Sequence, residues 1–275
     1  MKTEKDWFSG QYLYGDDFDI EQILEWYKDE EEAFADLCGN EVQDNTYIYH
    51  ELNKVHGYNA LKSARFDKVL GFGSSWGYEF TPICDRIKEL YILDSSEQTV
   101  SKDLGGIIPH YSKPVPSGKM PYEDNTFDLI TCFGVLHHIP NVTYVMNELV
   151  RVLKPGGYLL IREPVISMGD WREKRPGLTK RERGIPVRYF DNIIKNNSGA
   201  KVIRRNYCYA MMSFFERLTG YKPFLYSNWY VRFDKFLAAC LAWNLHYHAK
   251  NKYERIAPQC IFYVIQKTGD HVGKK

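Results

Sequence analysis

The chain has 275 residues with 44% hydrophobic and 26% charged side chains, and its 36 Lys and Arg against 35 Asp and Glu leave a formal net charge of +1. That composition fits one large globular domain or a domain with an elaborated cap, and it creates no global field to gather nucleic acid or an anionic membrane. The most apolar stretch, Phe236 to Leu245, is shorter than the about 20 residues a spanning helix needs and contains Asn244, which excludes an integral membrane protein.

The N-terminus, Met1-Lys2-Thr3-Glu4-Lys5-Asp6, is too charged to lead into a signal peptide, so a cytoplasmic location is expected. Residues 1–63 read as a helical cap. Asp19 caps a helix with Ile23, Leu24, Tyr27, Phe34 and Leu37 near one face, and Gly39 is expected to stop it. Asp29-Glu30-Glu31-Glu32 reads as a solvated face, and a second helical stretch runs near Ile48 to Ala64. Residues 64–166 alternate short apolar runs with helical patterns, the mark of a parallel sheet buried on both faces. The runs are Lys68-Val69-Leu70, Glu89 to Leu93, Phe127 to Cys132 and Tyr158 to Ile161. A helix from Tyr144 to Leu153 is expected to stop at the turn Lys154-Pro155-Gly156-Gly157.

Residues 167–275 belong to the same domain in this reading. Met168 to Arg188 lacks a period and carries Arg172, Lys174, Arg175, Lys180, Arg181, Arg183 and Arg188, which predicts an exposed loop or lid that sets acceptor specificity. Two strands, Lys201 to Cys208 and Gln259 to Ile265, flank a helical, aromatic-rich insertion; its segment Tyr221 to Tyr247 is expected to line an acceptor pocket or a dimer interface. The six cysteines form no Cys-x-x-Cys pair, so they read as reduced thiols, and no metal site is expected.

Val69-Leu70-Gly71-Phe72-Gly73-Ser74-Ser75-Trp76-Gly77 ends the first strand run and is expected to open a helix, where glycines let the backbone approach a ligand. Asp94 ends the next run about 20 residues on, placed to accept hydrogen bonds from both hydroxyls of an adenosine ribose. The spacing Gly71-x-Gly73-x-x-x-Gly77 fits the dinucleotide fingerprint G-x-G-x-x-G poorly, which disfavours a nucleotide-dependent oxidoreductase. Trp76 reads as a core tryptophan, with packing over the turn as the alternative.

From this turn, through Met120 to Ile130, Val135-Leu136-His137-His138-Ile139-Pro140 and Glu148 to Gly157, the chain resembles the class I S-adenosylmethionine-dependent methyltransferases, of the small-molecule type that serves quinone biosynthesis and sugar tailoring. The resemblance covers roughly residues 66–164. It implies a Rossmann-like α/β fold with a mostly parallel seven-stranded sheet, helices on both faces, an N-terminal helical cap and a C-terminal insertion. It also implies S-adenosyl-L-methionine as cofactor. Gly71, Phe72, Gly73, Ser74 and Gly77 would receive its methionine end, Asp94 with Ser95 its ribose, Gly118-Lys119-Met120 its adenine, and Phe133 would stand beside it. Three positions depart from the family pattern: Val69 stands where an acidic residue is usual, Ser75 where a glycine is, and Pro116-Ser117 where an Asp that contacts the adenine is common.

A hydroxyl acceptor must lose its proton during methyl transfer, and histidine suits that task. His137 is read as the base and His138 as a packing or turn-stabilising residue. Glu163 ends the run Tyr158 to Ile161 and is read three ways: orienting His137, acting as base itself, or pairing with Arg162 at the surface. The expected reaction is methylation of a small-molecule hydroxyl on a sugar, phosphorylated or nucleotide-linked metabolite. The clustered Arg side chains read either as a solvated loop or as a grip for an anionic acceptor. Tyr12 and Tyr14 are placed as an N-terminal lid over the cofactor. The competing reading is a non-catalytic methyltransferase-like binding or partner protein, made possible by Val69 and Ser75. Nucleic acid and membrane are not expected partners.

Overall fold

The computed structural model describes residues 3–41, 47–62, 65–95, 103–171, 175, 177–197, 199–210 and 226–269, with the side chains of residues 4, 5 and 31–41 outside that description. The apolar runs form the central strands β1 (Phe66–Phe72), β2 (Ile87–Leu93), β4 (Phe127–Phe133) and β5 (Leu153–Pro164), all parallel. β3 (His110–Ser112) extends the sheet beyond β2, and β6 (Ala200–Cys208) and β7 (Cys260–Lys267) complete it on the other flank. The order is β3-β2-β1-β4-β5-β7-β6, with β7 antiparallel to both neighbours. Strand order reverses between β1 and β4, so the crevice at their carboxyl ends is where an open α/β sheet receives ligands.

Alternation along the strands gives each face its own core. Leu70, Ile130, Leu159 and Ile161 pack against α4 (Val142–Val152) and α5 (Val187–Asn196). Val69, Leu129, Leu160 and Val264 pack against α3 (His50–His56) and α6 (Asn228–Leu241). This is the Rossmann-like, mostly parallel seven-stranded arrangement the sequence predicts, preceded by α1 (Glu4–Phe8), α2 (Ile20–Glu41) and α3. No helix among the described residues is long and apolar enough to cross a membrane.

Several local expectations are corrected. Asp19 does cap α2, exchanging hydrogen bonds with Gln22 in both directions (2.9 and 3.1 Å), but the helix runs through Gly39 to Glu41. Leu24 is half exposed, and the buried positions are Ile23, Trp26 and Glu30, one turn apart. No α-helix follows the glycine turn; a 3-10 helix, Tyr78–Arg86, replaces it, with Pro82 inside removing a backbone donor. Trp76 is half-buried and stacks on Tyr78 rather than entering the core. Lys154 to Gly157 form the irregular first part of β5, where register against β4 shifts between Phe127 and Leu129.

The segment expected to be an exposed lid is instead largely internal: Glu182, Arg183 and Ile185 are buried, the last two completely. Arg172 and Lys174, and residues 221–225 of the aromatic-rich insertion, lie outside the described residues.

Candidate active site

The turn after β1 is shaped by left-handed backbone at Gly73 (φ +64°), Ser75 (φ +49°) and Gly77 (φ +73°). A Cβ on Gly73 would meet Val135 Cγ2 at 2.5 Å, so this glycine lets the turn lie directly against the chain leaving β4. Asp94 Oδ2 accepts the Ser75 amide at 2.7 Å, which joins the carboxylate at the end of β2 to the same turn. Ser74 and Gly77 are buried and Ser95 is exposed. The Phe72 and Met120 side chains point into the core, so both residues face the crevice with backbone alone. Gly118 (φ +80°) turns the chain before the exposed Lys119, held by Asn141 Nδ2 donating to the Ser117 carbonyl at 2.8 Å.

Beneath the turn lies Glu79, a residue that sequence reasoning missed. It is 4% exposed, accepts a hydrogen bond from Ser74 Oγ and another from Thr131 Oγ1 at 3.3 Å, and burial pushes its carboxyl up to about 7. Beside it, on the same face of the sheet, Arg162 extends from the end of β5. Its guanidinium donates to Asn53 Oδ1 at 3.2 Å and sits over the rings of Tyr49 (4.2 Å) and Phe133 (5.4 Å). Arg162 is 7% exposed and has no carboxylate within ion-pair distance among the described residues.

Glu163, its neighbour, points to the opposite face and is completely buried, which removes the reading of a surface pair with Arg162. One Glu163 oxygen accepts the amides of Val135 (2.8 Å) and Leu136 (2.9 Å); the other accepts from His137 Nδ1 at 2.7 Å. His137 Nε2 lies 3.4 Å from Glu182 Oε1. Burial alone would lower the imidazole pKa, but the hydrogen bonds and charges of the two carboxylates outweigh it and raise the value to about 9. His138, half-buried, pairs through Nδ1 with Glu30 at 2.9 Å, and its carbonyl accepts from Trp26 Nε1 at 2.7 Å. His137, His138 and Glu182 bring ligand-type atoms within 4.8 Å of one another, so they are the described residues that could hold a metal ion.

Four described cations of the basic segment, Arg175, Lys180, Arg181 and Arg183, are engaged within the protein itself. Arg183 donates to the carbonyls of Tyr14, Leu136, His137, Ile139 and Pro140. Arg181 and Lys180 pair with Asp29, and Arg175 donates to the carbonyls of Met168, Thr179 and Lys180. Tyr14 joins Trp7, Phe18, Trp26 and Trp171 in an aromatic cluster, with Tyr12 against Trp7. Gly15 packs on Pro140, so this N-terminal cluster borders the loop after β4.

Residues 70–161 match a family described as a methyltransferase domain, and residues 116–208 match a second family of the same description. A phthiotriol/phenolphthiotriol dimycocerosates methyltransferase from Mycobacterium ulcerans is 30% identical over 106 residues, 37% of this chain and 39% of that protein. A demethylmenaquinone methyltransferase from Bacillus mycoides is 44% identical over 45 residues, 16% of this chain and 19% of that protein. The matches span less than two fifths of the length of these curated relatives. The crystal structure of an S-adenosylmethionine-dependent methyltransferase from Mesorhizobium loti shares the fold at a TM-score of 0.50 and 14% identity, covering 76% of this chain and 94% of that one. The chain carries a class I methyltransferase domain, a family whose cofactor is S-adenosylmethionine.

Proposed function

We propose that this protein transfers the methyl group of S-adenosylmethionine to a hydroxyl of a small-molecule acceptor. The observation that supports this best is the chain Glu163–His137–Glu182, which sets a histidine of raised basicity on the loop after β4, whose Val135 packs on the glycine turn at the carboxyl edge of the sheet.

The residues at this edge fit the cofactor. Gly71 and Gly73 let the turn fold tightly, since a Cβ on either would strike Ser74 or Val135, Asp94 stands against the turn to take the ribose hydroxyls, and Gly118-Lys119 borders the place for the adenine. Arg162 takes the methionine carboxylate, and Glu79 restores acidic character that Val69 lacks. When bound, the cofactor supplies an electrophilic methyl group on a sulfonium, open to in-line displacement. The protein's tasks are to align the acceptor oxygen, exclude water and receive the hydroxyl proton at His137 Nε2. Glu163 and Glu182 stabilise the imidazolium that results. His138 holds the loop through Glu30. An anionic acceptor would draw on the exposed Arg188, since Arg175, Lys180, Arg181 and Arg183 are already engaged.

The non-catalytic reading rests on Val69 and Ser75, and Glu79 weakens it by placing a carboxyl under the same turn. The test is titration of the purified protein with S-adenosylhomocysteine, followed by methyl-labelled cofactor and a panel of hydroxyl compounds. Binding that Asp94→Ala weakens at least about tenfold, with label transferred to a hydroxyl, is the expected result. Tight binding without transfer to any acceptor class supports the non-catalytic reading.

A further inference from the structure

On the flank of the sheet away from His137, α6 turns Tyr230, Val231, Asp234 and Ala238 inward. Asp234 fixes this orientation by accepting the amides of Tyr209 (2.8 Å) and Ala210 (2.9 Å). The outward stripe is aromatic: Trp229 is 72% exposed, Phe233 41%, Phe236 66%, and Trp243, just past the helix, 81%. Trp229 and Phe233 stack with ring planes 1° apart. Spacings of four and three residues hold Trp229, Phe233 and Phe236 on one face of a 3.6-residue helix, and Trp243 follows in the 3-10 turn Ala242–Asn244. Isolated exposed rings need no explanation, but three along one helix face with a fourth just beyond it form a surface that water disfavours.

Cations border this stripe. Arg232 and Lys235 of α6 and Arg204 of β6 line, with Val55, Asn59, Phe236 and Ala239, an open cavity of about 500 Å³ that has no acidic side chain in its lining. The Lys235 ammonium is pushed down by partial burial and then by the charges of Arg204 and Arg232, so positive charge is concentrated here. Glu51 of α3, beside the start of α6, is taken up by Lys54 and Asn228. The net charge of +1 averages this local patch away.

We propose that α6 docks this protein onto an anionic phospholipid surface: Trp229, Phe233, Phe236 and Trp243 enter the interfacial layer, and Arg204, Arg232 and Lys235 receive a lipid phosphate. Aromatic rings edged by Lys and Arg are the composition that lies in a membrane interface, where indole and phenyl rings leave water while the cations meet anionic headgroups. A second copy fits less well, because a two-fold contact would bring the same three cations toward their own mates. The inference is independent of the methyl-transfer reading.

The test is co-sedimentation of the full chain with phosphatidylcholine vesicles, with and without phosphatidylglycerol, at low and high salt. The parent is expected to bind the anionic vesicles at least about tenfold more tightly than the neutral ones, and to lose that preference in high salt. The double variant Trp229→Ser, Phe236→Ser and the triple variant Arg204→Gln, Arg232→Gln, Lys235→Gln should each lose about tenfold or more on anionic vesicles. Trp229 and Phe236 are exposed, so the double variant keeps its fold; thermal denaturation checks both. Equal binding of parent and folded variants, or no binding by the parent, overturns the proposal. So does a dimer of the parent in sedimentation equilibrium that the aromatic double variant abolishes, since a second copy would then own the stripe.

Discussion

Glu163 grips His137 Nδ1 at 2.7 Å while its other oxygen accepts the amides of Val135 and Leu136, so one buried carboxylate fixes both the imidazole and the loop that carries it. With Glu182 on the other ring nitrogen, His137 is protonated up to about pH 9. A base acts in its neutral form, so kcat for a hydroxyl acceptor should rise as pH climbs through about 9. Glu182→Gln removes one stabilising charge and should move the rise to lower pH. His137→Ala should cost about 10² to 10⁴ in kcat with cofactor affinity retained. A pH-independent kcat across this range would rule out His137 as the base.

Glu79 should make stability pH-dependent. Burial raises its carboxyl from the ordinary value near 4.5 to about 7, so the favoured native form is the protonated one. Its contribution is fully present below about pH 4.5 and is lost as pH rises through about 7, by up to about 3 kcal/mol. Glu79→Gln keeps the shape and a partner for Ser74 without the ionisation. Denaturant unfolding from pH 5 to 8 should therefore show the parent losing stability relative to this variant. Parallel curves would mean that Glu79 is ionised throughout or relieved by water.

The sheet was legible because strands buried on both faces read as unbroken apolar runs, and β1, β2, β4 and β5 all carry them. β3 was not, since His110-Tyr111-Ser112 is too short and polar to leave a pattern. At the site, Asp94, Gly73 and Gly77 stood out by spacing. Glu79 and Arg162 did not, because a charge next to an apolar run looks the same whether it turns outward or into a crevice. Alternation along β5, which sends Arg162 and Glu163 to opposite faces, was the available signal for one of them. The basic run 172–188 was hard to read for the opposite reason: among its described residues, Arg175, Lys180, Arg181 and Arg183 are engaged by carbonyls and by the carboxylates Glu25 and Asp29 of α2, the latter 151 or more residues away in sequence.

Arg162 should discriminate between ligands that differ in their amino-acid end. A cation this deeply buried with no carboxylate in ion-pair contact among the described residues is costly, and a bound carboxylate would relieve that cost. Arg162→Met keeps the length and loses the charge. Its affinity for S-adenosylhomocysteine should fall at least about tenfold, while that for 5′-methylthioadenosine, which lacks the carboxylate, should not change. Equal losses for both nucleosides would mean that Arg162 supports the fold through Asn53, Tyr49 and Phe133 rather than the ligand.

Arg183 should behave as a structural clasp and not as a grip for an anionic acceptor. It is completely buried, sits 4.9 Å over the Trp26 ring, and donates to five carbonyls that belong to Tyr14 and to the loop carrying His137. Burial pulls its pKa down to about 10, outweighing the opposing charges of Asp16, Glu163 and Glu30. Arg183→Met would leave those carbonyls without a donor, so a loss of about 3 to 5 kcal/mol in unfolding free energy is expected. Arg183→Lys should recover little of it, because a single ammonium cannot span acceptors arranged for a planar fork. In whatever fraction remains folded, kcat should fall with the looser His137 loop while the acceptor KM changes little. A variant of parental stability with a raised KM for a phosphorylated acceptor would instead return Arg183 to the role of an anion-binding residue.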